Sequence, residues 1–351
     1  MRLLGLRYVG PPPLGEIALR FTDEAGDARP VSVLCGAGGT GKTALLAALA
    51  STRPGNATML PRRTRSEDPG YAVAEYTLGD DQPERTEPVT VASPMAHFDE
   101  PDAVTIARRR EQSVVDKAAQ SGGFAFHVVP GVRWFSRSAL VLSSPDRSLF
   151  RHDARAAVSF DDATRADLCR ETKQVLAYAA ISAALVRDGD GADRRGVLGF
   201  ERALVEAIDA LDGHGVLGFR FVGACPLSLE PLFANSLTGA VLSFDELPTA
   251  ARHLLSFVAL PLRTIAAAYP DRPVASAEGV ALVDDAEVHL PNHVLSKLPG
   301  ALLAALPRVQ WVLATSSEEL ARGVPDEALI ALRRVSSAEV CAFAGRDART
   351  H

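Results

Sequence analysis

The sequence contains no long apolar run and few cysteines. No stretch of about 18 consecutive apolar residues occurs in the chain, so no membrane-spanning helix is expected. The N-terminal residues carry no apolar segment long enough for a signal peptide. The cysteines, Cys35, Cys169, Cys225 and Cys341, lie far apart and lack the paired spacing of common metal-binding motifs. We therefore expect reduced thiols in a cytoplasmic protein with no membrane partner.

An excess of basic charge is also lacking. Lys and Arg number 37 against 43 Asp and Glu, a formal net charge of -6, which argues against a protein whose whole surface binds nucleic acid. Two Arg-rich runs, Pro61–Arg65 and Arg108–Arg110, leave local contact with DNA open, although such runs are more often solvated faces. The apolar fraction of 47% is typical of a soluble globular chain with one large domain or two moderate ones.

Apolar periodicity predicts an α/β fold. Strands are predicted at Met1–Tyr8, Glu16–Phe21, Val31–Cys35, Tyr71–Leu78, Pro88–Ala92, Phe124–Val129, Val280–Val283 and Val309–Ala314. Helices are predicted at Lys42–Ala50, Asp102–Ala119, Arg165–Leu185, Phe200–Leu211, Thr249–Ala268 and Asn292–Leu306. The simplest organisation is a core made of residues 1–92 and 236–351, interrupted by a mostly helical insertion over residues 93–235.

One short segment matches a complete phosphate-binding motif, Walker A. It consists of Gly36, Ala37, Gly38, Gly39, Thr40, Gly41, Lys42 and Thr43, and it fits G-x-x-x-x-G-K-[ST] at every position. Glycines let main-chain N–H groups turn toward phosphate oxygens, and the N-terminus of the following helix favours an anion. Lys42 would bridge the β- and γ-phosphates, and the Thr43 hydroxyl would bind Mg²⁺. The segment therefore predicts a site for a nucleoside triphosphate with Mg²⁺.

A second motif lies near the predicted strand Val280–Val283. Four apolar residues are followed directly by Asp284 and Asp285, which is the pattern of a Walker B strand. Such a strand delivers a carboxylate to the Mg²⁺ coordination shell. Buried strands often end in Asp, so the pattern is weak alone and gains specificity beside a phosphate loop. We predict Asp284 as the Mg²⁺-side acid, with Asp285 directly beside it.

Three further segments carry a family resemblance. Asp284–Pro291 (DDAEVHLP), Leu242–Leu255 (LSFDELPTAARHLL) and Val309–Ser317 (VQWVLATSS) resemble, in order and spacing, motifs of the SMC/RecF-like and OLD-like branch of ABC-type ATPases within the AAA family. The chain has no long coiled coil, so it is similar to the short members of that branch. The resemblance implies a P-loop NTPase with an ABC-type ATPase head, ATP as the nucleotide, and a homo- or heterodimer that sandwiches ATP. It also implies a glutamine that links the nucleotide to the helical part; Gln112 and Gln120 are both candidates.

The departures from that pattern concern the groups that stabilise phosphoryl transfer. Where the family signature has Ser-Ser-Gly-Glu, this chain has Pro248, Thr249, Ala250 and Ala251. Asp285 stands in place of a catalytic Glu and is shorter by one methylene. Ser316 occupies the position of a switch His, and a hydroxyl cannot supply an imidazole or a cation. Because catalysis is sensitive to about 1 Å of misplacement, we expect nucleotide binding with slow hydrolysis to ADP and phosphate.

Three hypotheses of different class follow. The first is an ATP-dependent switch or scaffold for a partner protein, which the resemblance associates with bacterial defence or DNA-processing effectors such as a nuclease. The alternative is an active DNA-associated ATPase of the SMC/RecF-like type, which the acidic net charge and the altered motifs disfavour. The third is a relic site without nucleotide, which the intact combination of Gly41, Lys42 and Thr43 disfavours.

Overall fold

A computed structural model describes residues 1–55, 70–140, 160, 162–186 and 192–349. The strands are β1 (Arg2–Val9), β2 (Glu16–Arg20), β3 (Val31–Gly36), β4 (Tyr71–Thr77), β5 (Val89–Ala92), β6 (Ala125–Val129), β7 (Phe219–Ala224), β8 (Pro231–Asn235), β9 (Val241–Ser243), β10 (Gly279–Val283), β11 (Val309–Thr315), β12 (Leu329–Ser336) and β13 (Glu339–Ala344). The helices are α1 (Lys42–Ser51), α2 (Asp102–Ser121), α3 (Cys169–Val186), α4 (Ala192–Gly213), α5 (Thr249–Ala268), α6 (Asn292–Leu295), α7 (Leu298–Ala305) and α8 (Glu318–Arg322).

The central sheet has the strand order β13-β12-β3-β11-β10-β6. Its strands pair in parallel, except that β13 runs antiparallel to β12. Every residue of β10 and β11 is buried, which explains their largely apolar sequences, because a parallel sheet is covered on both faces. The carboxyl ends of β3, β6, β10 and β11 therefore meet at one edge, where open α/β sheets bind ligands.

A four-stranded antiparallel sheet, β2-β1-β4-β5, packs over one face of the central sheet. Its strands alternate between buried and exposed side chains, as in β2, so that one face joins the core. The helix α1 lies between the two sheets, and its leucines share a hydrophobic cluster with residues of β1, β4 and β11. The phosphate-binding motif thus leads into a helix that is held on both sides.

The other face of the central sheet is covered by α3, α4, α5 and α7. Helix α5 is buried along almost its whole length and contacts β6, α3 and α4. A small antiparallel sheet, β7-β8-β9, precedes α5 and joins this cluster through Phe219 and Phe233. Within the described ranges, no helix combines the length and apolar character needed to cross a membrane.

Most predicted elements are confirmed, and the helix α5 has the predicted bounds. The single helix predicted over Asn292–Leu306 is wrong, because the structure divides it into α6 and α7. Pro299 lies in the first turn of α7, and a proline there cannot donate the N–H that would continue a helix from α6. Strands β7 to β9, β12 and β13 were not predicted. Strand β6 lies inside the predicted helical insertion, yet it pairs with β10 in the central sheet.

Candidate functional site

The segment from Gly36 to Thr43 forms a loop between β3 and α1 whose backbone requires glycine. A Cβ on Gly36 would lie 2.7 Å from the carbonyl oxygen of Leu332, which is far too close. Gly39 and Gly41 adopt positive φ angles of 77° and 93°, a conformation that costs other residues free energy. The two glycines that the motif requires, Gly36 and Gly41, therefore stand where the chain approaches a neighbour or takes a positive φ angle, and Gly39 adds a third such position.

Two side chains of the loop, those of Thr40 and Lys42, are buried and bond main-chain oxygens at its start. The Lys42 ammonium donates hydrogen bonds to the carbonyl oxygens of Gly36 (2.7 Å) and Ala37 (3.1 Å), and only 6% of the residue is exposed. The Thr40 hydroxyl donates to Ala37 as well, at 2.9 Å. Helix α1 begins at Lys42, so its free N–H groups and the positive end of its dipole face the same space. This cradle of N–H groups around a buried cation fits a polyphosphate.

The acid pair at the end of β10 lies against this loop. The Thr43 hydroxyl and Asp284 Oδ1 are 3.2 Å apart, although 241 residues separate them in sequence. Burial, and then the neighbouring charge of Asp285, raise the pKa of Asp284 to about 6. A buried carboxyl group, Asp284, beside a half-buried one, Asp285, is an arrangement that a divalent cation stabilises. Thr43 and Asp284 therefore fit the ligand set of a nucleotide-bound Mg²⁺.

No dedicated metal cage accompanies them: within the described ranges no group of three or more His, Cys, Asp or Glu side chains is placed to hold a metal ion. Mg²⁺ commonly needs no such cage, since one or two carboxylates, waters and substrate phosphates complete its shell.

A buried arginine, Arg133, fixes the main chain of the acid pair. Its guanidinium donates to the carbonyl oxygens of Asp284 (2.6 Å) and Asp285 (2.9 Å) and to His253 Nδ1 (3.0 Å), and it stacks over the ring of Phe257. Burial lowers the pKa of Arg133 to about 10, and the nearby carboxylates act in the opposite direction. Sequence reasoning did not assign this residue. The sequence feature that could have indicated Arg133 is an arginine placed shortly after an apolar strand, β6, and a Pro-Gly turn.

Arg133 also connects the acids to the beginning of α5 through His253, in the segment where the sequence predicts an altered signature motif. Pro248 precedes the helix as its N-cap without a side-chain cap, and both Pro248 and Thr249 are exposed. One turn later the buried His253 ring stacks on His289, with ring centroids 4.8 Å apart. Burial, followed by the charge of Arg133, lowers the pKa of His253 to about 3, so the ring is neutral at ordinary pH.

Ser316, which the sequence predicts at the position of a switch His, is bound by Glu287. The Glu287 carboxylate accepts hydrogen bonds from the Ser316 amide (2.7 Å), the Ser316 hydroxyl (2.6 Å) and the Thr315 hydroxyl (2.7 Å). Burial disfavours this charge, but the bonds from Ser316 and Thr315 outweigh it and lower the pKa of Glu287. The segments that follow β10 and β11 are thereby held together.

Other sequence candidates lie elsewhere. Gln112 is buried on α2 and bonds both main-chain groups of Ala92, so its side chain is engaged away from the acid pair. Arg108 bonds Glu100 and Thr90, which leaves this part of the basic run engaged within the chain. The run Pro61–Arg65 lies outside the described residues.

Comparison with known proteins identifies the fold. No protein-family model matches the chain, and no curated protein matches it. Among solved structures, an SMC head bound to the C-winged helix domain of ScpA is similar over 100% of both chains, with a TM-score of 0.53 and 12% identity. The fold is that of an ABC-type ATPase head. At this identity the similarity establishes the architecture of the SMC-head fold and not its activity.

Two further SMC heads are similar at 12% identity. The head domain from Thermotoga maritima has a TM-score of 0.48 and covers 98% of this chain and 99% of its own. A head with an extended coiled coil, bound to the C-terminal domain of ScpA derived from Pyrococcus furiosus, has a TM-score of 0.49 and covers 98% and 96%.

Proposed function

We propose that this chain is an ATP-binding, ABC-type ATPase subunit that hydrolyses ATP slowly and serves as an ATP-dependent switch or scaffold for a partner protein. The observation that carries the proposal is the contact between Thr43 and Asp284, which brings the phosphate loop and the β10 acid together. The glycine conformations and the buried Lys42 support a polyphosphate ligand at the same place. The SMC-head architecture supports an ATPase head as the framework.

Each residue of the site has a proposed role. The main-chain N–H groups of Gly36 to Thr43 would bind the phosphates, with Lys42 on the β- and γ-phosphates. Thr43 and Asp284 would hold Mg²⁺, which supplies charge neutralisation on the phosphoryl oxygens when bound. Asp285 would polarise the attacking water. The nucleotide core would consist of residues 1–92 and 236–351 together with β6.

Slow hydrolysis is supported by how the replacement residues are held. Arg133 fixes the main chain of Asp285, so backbone movement cannot easily compensate for its shorter side chain. The Ser316 hydroxyl already donates a hydrogen bond to the Glu287 carboxylate. Pro248 at the start of α5 has no N–H to offer a phosphate. Losing a single such electrostatic contact commonly costs about 10²–10³ in rate.

Assembly would connect nucleotide binding to an output. In the proposed homo- or heterodimer, the exposed start of α5 at Pro248 and Thr249 would face the phosphate loop of the other protomer. ATP binding would then order the interface, and an effector, for example a nuclease, would respond to it. A similar SMC head is bound to a domain of ScpA, which supports protein partnership for heads of this fold.

The direct test joins nucleotide affinity by calorimetry with phosphate release for the wild type and three variants. Lys42→Ala should weaken Mg-ATP binding by about 10²-fold, because it removes a buried charge from the phosphates. Asp285→Asn should bind ATP like the wild type and lower its slow phosphate release only slightly, because the short Asp285 side chain polarises water poorly, whereas Asp285→Glu should release phosphate faster. Brisk wild-type turnover that Asp285→Asn abolishes would instead favour the DNA-associated ATPase. Absence of ATP binding by the wild type would refute the proposal.

A separate prediction concerns Gly131, which follows β6. A Cβ at this position would lie 2.8 Å from Asp285 Oδ2 and 3.0 Å from Asp284 Oδ2. Gly131→Ala should displace the carboxylates and weaken Mg²⁺-dependent ATP binding by about tenfold, since such overpacking costs about 1–3 kcal/mol. Calorimetry at several Mg²⁺ concentrations measures the effect. Gly300→Ala on α7 is the matched control, because no atom lies within 4 Å of its added Cβ, and it should bind like the wild type.

A further inference from the structure

The hairpin formed by β12 and β13 brings a cation to the phosphate loop. The guanidinium of Arg334 donates to the carbonyl oxygen of Gly39 at 3.0 Å, across 295 residues of sequence. Its other nitrogen donates to the carbonyl oxygen of Ser337 at 3.1 Å, within the hairpin turn. Both contacts are to main-chain oxygens, and no carboxylate lies within ion-pair distance of Arg334 in the described part of the chain. The cation therefore keeps its full charge beside the loop.

The contact acts on the most sharply turned part of the loop. Gly39 has a φ angle of 77°, and the peptide that follows it is planar, so its carbonyl and the Thr40 N–H point in opposite directions. Arg334 holds the carbonyl, while the Thr40 N–H donates to the carbonyl oxygen of Ala37 at 3.4 Å within the loop. The peptide between Gly39 and Thr40 is thus fixed from both sides, and Arg334 helps to set the shape of the loop that would surround the phosphates.

The neighbouring residue on β12 offers a natural comparison. Side chains alternate between the faces of a strand, so Arg333 points away from the phosphate loop. It donates to the carbonyl oxygens of Asp347 and Ala348 and lies over the ring of Phe343. The two arginines therefore have the same charge and adjacent positions, but only Arg334 reaches the loop.

We propose that Arg334 is a positioning residue for the phosphates of the bound nucleotide. It fixes the Gly39 peptide and adds an unpaired positive charge at the outside of the loop, and this charge favours a triphosphate over a diphosphate. The inference rests on the proposed nucleotide binding and assigns to the C-terminal hairpin a part in the choice of nucleotide. Because Arg334 is exposed, the purely electrostatic part of its effect is sensitive to salt.

The experiment compares Mg-ATP and Mg-ADP affinities of the wild type, Arg334→Met, Arg334→Lys and Arg333→Met at low and high ionic strength. Arg334→Met should weaken ATP binding by about tenfold and ADP binding by clearly less, with a smaller difference at high salt. Arg334→Lys should recover most of the preference for ATP because it retains the charge. Arg333→Met should leave both affinities unchanged. The midpoint of its thermal unfolding shows whether loss of an arginine from the hairpin lowers stability by itself.

Several outcomes would overturn the inference while leaving the proposed function intact. One such outcome is that the wild type binds ATP and Lys42→Ala does not, while Arg334→Met binds ATP as tightly as the wild type. Equal losses for ATP and ADP in Arg334→Met, or equal losses in Arg333→Met and Arg334→Met, would also contradict it. Failure of the wild type itself to bind ATP would remove the proposed function and this inference together.

Discussion

Arg133→Met is expected to lower the free energy of unfolding by about 3–5 kcal/mol, because several buried polar groups lose their partner at once. Arg133 is only 2% exposed and bonds the carbonyl oxygens of Pro130, Asp284 and Asp285 as well as His253. An unsatisfied buried acceptor alone costs about 1–3 kcal/mol. A methionine fills much of the volume but restores none of these bonds.

Denaturant unfolding of the purified variants measures this loss. Arg133→Lys should recover little, since an ammonium cannot reach acceptors on β10 and α5 in the planar geometry of a guanidinium. Arg263→Met is the matched control on α5: Arg263 is also buried, but it pairs with the half-exposed Glu171. Its loss should be smaller and should leave ATP affinity unchanged. An Arg133→Met variant as stable as the wild type would contradict the role assigned to this arginine.

The second large effect is expected for Lys173→Met in the helical part of the molecule. The Lys173 ammonium is fully buried and bonds Asp245 (2.7 Å), Glu230 (3.3 Å) and the carbonyl oxygen of Ser138 (2.8 Å). Burial opposes its charge, but the bonds to Asp245 and Glu230 outweigh it and raise the pKa of Lys173. Removing the cation leaves two carboxylates close together, at a cost of about 3 kcal/mol.

A double-mutant cycle separates the ion pair from simple loss of packing. The double variant with Lys173→Met and Asp245→Asn should lose less free energy of unfolding than the two single variants lose in sum. The difference should be at least about 1 kcal/mol. The exposed pair of Arg322 and Glu319 is the control, because removing it should change stability by less than about 1 kcal/mol. Strictly additive effects at Lys173 and Asp245 would show that the pair contributes no interaction of its own. Asp245 lies in the turn that precedes Pro248 and α5, so this lysine also anchors the segment that leads into that helix.

The sequence was most informative where structure is local. The glycine-rich loop after β3 could be predicted because its residue types are dictated by the neighbouring backbone. Strands β10 and β11 could be predicted because a strand that is buried on both faces is largely apolar. Strand β12 escaped prediction since its burial ends halfway, where Arg333 begins a polar half that reaches the surface. The break between α6 and α7 depends on Pro299, whose effect an apolar pattern does not register.

The remainder of the site depends on contacts between distant segments. The bonds of Arg133 span 120 residues to His253 and 151 to Asp284, and no periodicity in a single segment encodes them. The proximity of Gly131 to both carboxylates likewise follows from the pairing of β6 with β10. Sequence motifs therefore predicted the groups proposed to touch the nucleotide, while the groups that hold those residues in place became visible only in three dimensions.

The strand order of the central sheet has a consequence for how the chain reaches its native state during synthesis. Strand β3, which leads into the phosphate loop, lies between β11 and β12, and both come from the last part of the chain. A nascent polypeptide thus exposes the edges of β3 until residues beyond Thr315 and then Ser336 have left the ribosome. Pairing over such sequence distances is slow, because a long loop must close before any contact forms. The proposed nucleotide would accordingly bind only after β3 has paired with β11 and β12. Until then, the exposed edges of β3 are where misassembly would begin.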